Sequence, residues 1–227
     1  MLQKIGEELW VADHDFKMMG IALGTRTTVI RLGDGGLFLH APGPLSPELI
    51  EAINALGPVR CLVAPNDFHH LFVQENRLAW PNASVHVSAG LPAKRPDLAS
   101  ASVLGDTPPD LWDGEIEQVW MRGAPKVNEV VFFHSLSRTL VLTDLAFNVI
   151  NPSSFRVRVF MRINGASGRL ATSRLLKSMY RDRALGRVSA EKIFDWDFDR
   201  ILLCHGDVVE ADAKAKLKAE FAWLLDT

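Results

Sequence analysis

The sequence predicts an α+β protein with two β-sheets sandwiched between helices, a four-layer αββα arrangement in one domain. The chain runs β-rich, then one helix, then β-rich again, then helices, one strand and a last helix, an order that stacks as packed layers around a shared core. With 227 residues, 48% of them hydrophobic, it has enough material for a substantial interior. No repeat or low-complexity segment interrupts it.

The elements follow from local chemistry. Residues 9–12, 27–32 and 36–40 read as strands, and Gly33-Asp34-Gly35 between the last two is a hairpin signal, because glycine and aspartate tolerate positive φ. A helix follows over 47–56. Ser46 is its N-cap, Pro47 suits its first position, Gly57-Pro58 ends it, and Leu49, Ile50, Ile53 and Leu56 share one face. The strand 59–64 comes at once, completing a crossover unit. Leu71-Phe72-Val73 opens a short helix, 84–88 reads as a strand, and 91–114, rich in Pro, Asp and Gly, reads as a surface loop. Strands return over 117–121, 129–133 and 139–143, with a hairpin turn at 134–138 that puts His134 at the surface. Helix is expected over 169–183 and again from Ser189, a strand over 201–204, and a final helix from Ala211 with Leu217, Phe221, Leu224 and Leu225 on its stripe.

Composition narrows the function. A formal net charge of -2 argues against a nucleic-acid partner. No apolar run is long enough to span a membrane, and the first residues, with early acids and no apolar signal core, read as a mature cytoplasmic start. Cys61 and Cys204 lie in apolar strand-like runs and read as buried thiols of a reducing compartment, not as nucleophiles.

The chemistry gathers at strand ends. The run 61–64 leads into Pro65-Asn66-Asp67-Phe68-His69-His70, the run 139–143 stops on Asp144, and the run 201–204 stops on His205-Gly206-Asp207. Imidazole and carboxylate are the ligands that borderline divalent metals prefer, and sheet rims are where such proteins commonly bind ligands. His40 ends another strand.

The order and spacing of these landmarks (the hairpin start, His40, residues 64–71, the double strand 128–144, His205-Gly206-Asp207) resemble the metallo-β-lactamase fold, and within it the DUF4336 branch. The resemblance covers nearly the whole chain and implies an αββα sandwich. It also implies the signature His-x-His-x-Asp-His after the crossover strand. Here Pro65 and Asp67 stand at the two early histidines, His69 stands at the aspartate, and His70 matches outright. The segment 123–128, where a middle histidine belongs, has none. Asp144 matches the metal-bridging aspartate and His205 the last histidine, while His40 stands where the family usually has an aspartate.

The resemblance therefore implies one metal and not two: a divalent ion such as zinc, iron or manganese on His70, Asp144, His205 and, by substitution, His69. A metal-free remnant is the alternative. Two adjacent residues on extended chain point to opposite sides, so His69 and His70 reach one ion together only across a sharp turn. A single metal lowers the pKa of a bound water, with Asp144 or Asp67 as proton acceptor. Asp67 serves equally as an orienting partner or a helix cap. His40 is either a rim residue facing substrate or a core histidine. The alternation Phe155-Arg156-Val157-Arg158-Val159 puts Arg156 and Arg158 on one face of a strand-like run as an anion anchor; the competing reading of the surrounding basic stretch is a solvated helix face. Three functions stay open: a mononuclear hydrolase, a non-catalytic binder of a small anionic ligand, and a structural or homodimeric partner-binding domain.

Overall fold

A computed structural model describes residues 1–18 and 20–226. In chain order the first half holds β1 (Leu2–Gly6), β2 (Leu9–His14), the short ribbon β3 (Lys17–Met18) and β4 (Ile21–Ala22), β5 (Thr25–Arg31), β6 (Leu37–His40), α1 (Pro47–Asn54), β7 (Val59–Ala64), α2 (Val73–Ala79), β8 (Ser84–Val87), α3 (Leu91–Lys94) and β9 (Ser102–Val103). The second half holds β10 (Ile116–Trp120), β11 (Val130–His134), β12 (Thr139–Leu142), β13 (Phe147–Asn148), α4 (Phe155–Ile163), β14 (Leu170–Ala171), α5 (Arg174–Met179), α6 (Arg183–Asp195), β15 (Arg200–Leu203), α7 (Ala213–Glu220) and α8 (Ala222–Leu225).

A seven-stranded sheet runs β1-β2-β5-β6-β7-β8-β9 and a four-stranded sheet runs β10-β11-β12-β15. Period-two alternation sends each strand's residues to two different cores. Phe38, Cys61 and Val63 of the first sheet meet Phe132, Val141 and Leu202 of the second in a central core. Their chain neighbours Leu37, Leu39 and Leu62 face out and are covered by Leu49 and Ile53 of α1. On the far side Leu140, Ile201 and Leu203 are covered by Ile193, Leu217, Phe221 and Leu224. The layering is helix, sheet, sheet, helix, as expected.

The helix α1 starts as its sequence dictates: Ser46 Oγ accepts the N–H of Leu49 at 3.2 Å. The two halves meet where the loop after β7 is pinned to the second sheet. Val130 N–H donates to the Pro65 carbonyl at 2.8 Å, and Asp67 N–H donates to the Val127 carbonyl at 2.9 Å.

Four expectations need correction. The segment from Phe155 is helix α4, not a strand. Ser154 caps it by accepting the N–H of Val157 at 3.3 Å, and Val157 and Met161, four apart, bury together against the β4 region. Arg156 and Arg158 therefore project roughly 200° apart around the helix and share no face. The 91–114 segment is not a bare loop: Leu91, Leu98, Leu104 and Trp112 are all buried, and Trp112 packs edge-on against Phe38 at 5.0 Å. His134 is buried, because it closes β11 before the turn begins and its Nδ1 pairs with Ser137 Oγ at 2.7 Å. The basic segment 169–183 breaks into β14 and α5, and the next helix begins at Arg183, six residues before the expected Ser189. Asp182 sets that start by accepting the N–H of Leu185 at 3.0 Å.

Candidate metal centre

Parallel pairing builds half of the site. Leu142 of β12 is in register with Leu203 of β15, so Asp144 and His205, each two residues further on, emerge side by side at one rim. His69 arrives from the other sheet on the loop after β7. The three side chains offer ligand atoms that all lie within 4.8 Å of one another. His69 Nε2 is 3.3 Å from Asp144 Oδ2, His205 Nε2 is 3.6 Å from Asp144 Oδ1, and the two Nε2 atoms are 3.2 Å apart.

Each ligand is oriented from behind. The Gly24 carbonyl, 2.8 Å from His205 Nδ1, can only accept. Nδ1 therefore carries the proton, and the lone pair of Nε2 points into the site in the neutral ring. Phe147 stacks on the same imidazole at 5.3 Å and 13°. Arg26 donates to the carbonyls of Leu203 and Gly206 at 2.9 and 3.1 Å, bracketing the turn. Gly206 itself has φ +94, and a Cβ there would lie 2.4 Å from the Asn148 carbonyl oxygen, so the residue after His205 must be glycine.

Asn66 organises the other two ligands. Its amide Nδ2 donates to Asp144 Oδ2 at 2.7 Å and to Thr143 Oγ1 at 2.8 Å. Its Oδ1 accepts the N–H groups of Phe68 and His69 at 2.9 and 2.8 Å, an Asx-type turn that swings His69 inward. Glu129 accepts the N–H groups of Thr143 and Asp144 at 2.8 and 2.9 Å. Burial, then the neighbouring Asp144 charge, pushes the Glu129 carboxyl up to about 7. For Asp144 burial alone would raise the carboxyl, but the charges and hydrogen bonds of His69 and His205 outweigh it and hold the group well below the usual carboxylate range.

The remaining candidates lie elsewhere. His70 turns away from the trio: its Nδ1 faces Arg95 Nη1 at 2.8 Å. Only one of the two adjacent histidines reaches the site, and the turn set by Asn66 Oδ1 makes it His69. Asp67 is not free to act as a base. Its Oδ1 accepts from Ser88 Oγ at 2.7 Å and its Oδ2 from Asn128 Nδ2 at 2.8 Å, so it braces the loop. His40 is a core residue and not a rim residue. It is fully buried, packs edge-on against Phe132 at 5.4 Å, and burial, with a smaller effect from the neighbouring His69, pushes it down to about 3. Arg156 and Arg158 are not among the residues that line the adjoining cavity.

Asn66, Glu129, Gly24 and Phe147 escape the sequence reading. Only Glu129 leaves a signal there, as a carboxylate heading an otherwise apolar strand.

The donor set fits a metal ion. Ligand bonds of about 2.0–2.1 Å in tetrahedral geometry place donor atoms roughly 3.3 Å apart; the two Nε2 atoms, 3.2 Å apart, and His69 Nε2 with Asp144 Oδ2, at 3.3 Å, match that spacing, while His205 Nε2 approaches the other carboxylate oxygen, Oδ1, at 3.6 Å. The site opens into a cavity of about 330 Å3, on whose wall all three ligands sit.

Comparison with known proteins identifies the family and the fold. A family model described as a domain of unknown function, DUF4336, matches residues 6–155. Comparison with curated proteins gives no significant match. Among solved structures, a metallo-β-lactamase from Pontibacter korlensis superposes with a TM-score of 0.64 at 14% identity, covering 100% of this chain and 99% of that one. The DIM-1 metallo-β-lactamase gives 0.65 at 13% identity, covering 99% and 96%, and a metallo-β-lactamase from Hirschia baltica gives 0.63 at 11%, covering 99% and 97%. The fold is that of the metallo-β-lactamases. Among the described residues, no helix is long and apolar enough to cross a membrane.

Proposed function

The chain belongs to the DUF4336 family, and on that footing we propose that it is a mononuclear metal-dependent hydrolase. The observation that carries this reading is the grouping of His69, Asp144 and His205, whose ligand atoms lie within 4.8 Å of one another, with the His205 lone pair aimed inward by Gly24. These three residues would hold the ion, and an ion held there supplies Lewis acidity for activating water or polarising a carbonyl. Among the described residues no second set of ligands stands ready for another ion: Pro65 and Ala124 carry no donor, and Asp67 is engaged by Ser88 and Asn128.

The protein's own groups supply the rest. His69 and His205 fix the reacting centre against the cavity floor. The Asn66 amide donates to Asp144 Oδ2, which orients the carboxylate and leaves Oδ1 as the oxygen that would hold the ion. The apolar wall excludes bulk water, which strengthens every charge interaction inside.

A second reading has its own observation. The two imidazole Nε2 atoms, 3.2 Å apart, can share one proton in place of an ion, as in a metal-free ligand-binding descendant. Elemental analysis of protein purified without a metal-affinity tag separates the two. About one equivalent of zinc, iron or manganese, lost in His69→Ala, supports the hydrolase, with ester and lactone panels then testing turnover. Two equivalents overturn the mononuclear assignment. No metal and no turnover under supplementation favour the second reading.

A further inference from the structure

We infer that the cavity beside His69, Asp144 and His205 takes an uncharged, lipophilic ligand whose one polar group meets those three side chains. The orientation of that ligand rests on the trio being the reacting centre; its chemical class rests on the wall. Beyond the trio the wall is mostly apolar, with Leu23, Phe72, Phe147, Phe160, Met161 and Leu176 among its members, and among the described residues no lysine or arginine lines it. Thr25, Asn164 and Ser173 also border the space, all of them neutral; Asn164 Nδ2 donates to the Phe160 carbonyl at 3.0 Å, and Ser173 Oγ accepts the N–H of Leu176 at 3.1 Å.

Charge argues the same way. In the metal-free chain the permanent charge facing the cavity is the Asp144 carboxylate, which disfavours an anion, and among the described residues no lysine or arginine on the wall offsets it. A phosphate or carboxylate would leave water without a partner. An alkyl or aryl body loses nothing by the transfer and gains steadily with its buried length. The wall also extends to the surface. Phe68, Leu71 and Leu175 belong to it and yet are 38%, 55% and 53% exposed, so an apolar path leads from solvent to the trio. The volume of about 330 Å3 is at the small end of ligand pockets, which suits a medium-length chain or a single ring system.

The test uses the full chain after treatment with a chelator, with the neutral fluorophore N-phenyl-1-naphthylamine as probe and 1-hexanol, 1-octanol and octyl phosphate as competitors. Affinity should rise about fourfold per methylene, hence about sixteenfold from 1-hexanol to 1-octanol. Octyl phosphate should compete at least tenfold more weakly than 1-octanol. Leu176→Trp, which fills the cavity, should abolish probe binding. Leu175→Arg, at an exposed position that folding tolerates, should weaken it about tenfold or more, and it decides the matter if Leu176→Trp does not fold. Displacement independent of chain length, octyl phosphate as the tighter competitor, or undiminished binding in folded Leu175→Arg would each overturn the inference. Because binding is read in chelated protein, a chain that holds no metal but gives the length series overturns the hydrolase reading and leaves this one standing.

Discussion

Asn66 holds Asp144 and aims His69 with opposite ends of one amide. Nδ2 donates to the Asp144 carboxylate at 2.7 Å, and Oδ1 accepts the His69 N–H at 2.8 Å. A fully buried side chain thus couples ligands that come from different sheets. Groups that orient metal ligands typically contribute 10–100-fold in affinity. Asn66→Ala is expected to lower zinc affinity by roughly that factor, read by competition with a chromophoric chelator, and to reduce stability by about 1–3 kcal/mol, because buried partners lose their bonds. Unchanged affinity would remove Asn66 from the site.

His69 and His70 make a matched pair for a second prediction. His69→Ala should lose the metal, whereas His70→Ala should keep full stoichiometry, since His70 faces Arg95. The opposite result, metal lost in His70→Ala and kept in His69→Ala, would show that the loop adopts another turn.

Stability should fall as pH drops below neutrality. Burial is the first cause that holds His86 and His134 near 4 and His40 near 3, all below the unfolded value of about 6.5. The sign follows: from about pH 6.5 down to about 4 the unfolded chain takes up protons that the folded chain refuses. The stability present above pH 6.5 is therefore lost on acidification, at up to ~1.4 kcal/mol per pH unit for each histidine; Glu129, raised to about 7, takes up its proton first in the folded chain and offsets one histidine's share. Urea unfolding at pH 7, 6 and 5 measures this slope, and His134→Gln should lower it by one proton's share. A flat stability between pH 7 and 5 would contradict the assignment of these rings as neutral core residues.

Gly206→Ala should damage the site without touching a ligand. The left-handed backbone costs about 1–3 kcal/mol for a side-chain-bearing residue, and the new Cβ would also meet the Asn148 carbonyl at 2.4 Å. A lower melting temperature together with weaker metal binding is expected; wild-type values for both would show that the turn after His205 is slack.

What the sequence makes legible, and what it hides, follows from the range of the forces involved. Asp144 and His205 can be read directly, because a strand that ends on a polar residue presents it at the rim, and parallel register brings two such ends together. The layering is legible for a related reason: a continuous apolar strand such as Leu37-Phe38-Leu39 must be covered on both faces. The choice between His69 and His70 is not legible, since it depends on which backbone N–H groups Asn66 captures. The Arg156–Arg158 reading fails because five alternating residues fit a strand period, while the burial of Val157 with Met161 requires a longer window. Asp67 misleads because its partners Ser88 and Asn128 lie 21 and 61 residues away.

His69 belongs to a loop of the seven-stranded sheet, and Asp144 and His205 to the turns that follow two strands of the four-stranded one. An ion bound by all three is therefore a clasp between the halves of the molecule, closing a span of 136 residues from His69 to His205. Neither half can form the centre alone, so metal uptake reports on sheet docking, and whatever binding free energy it provides is added to the cohesion of the interface. In amide-exchange experiments the metal should slow opening most across the central core shared by Phe38, Val63, Phe132 and Leu202, and least in the outer helices.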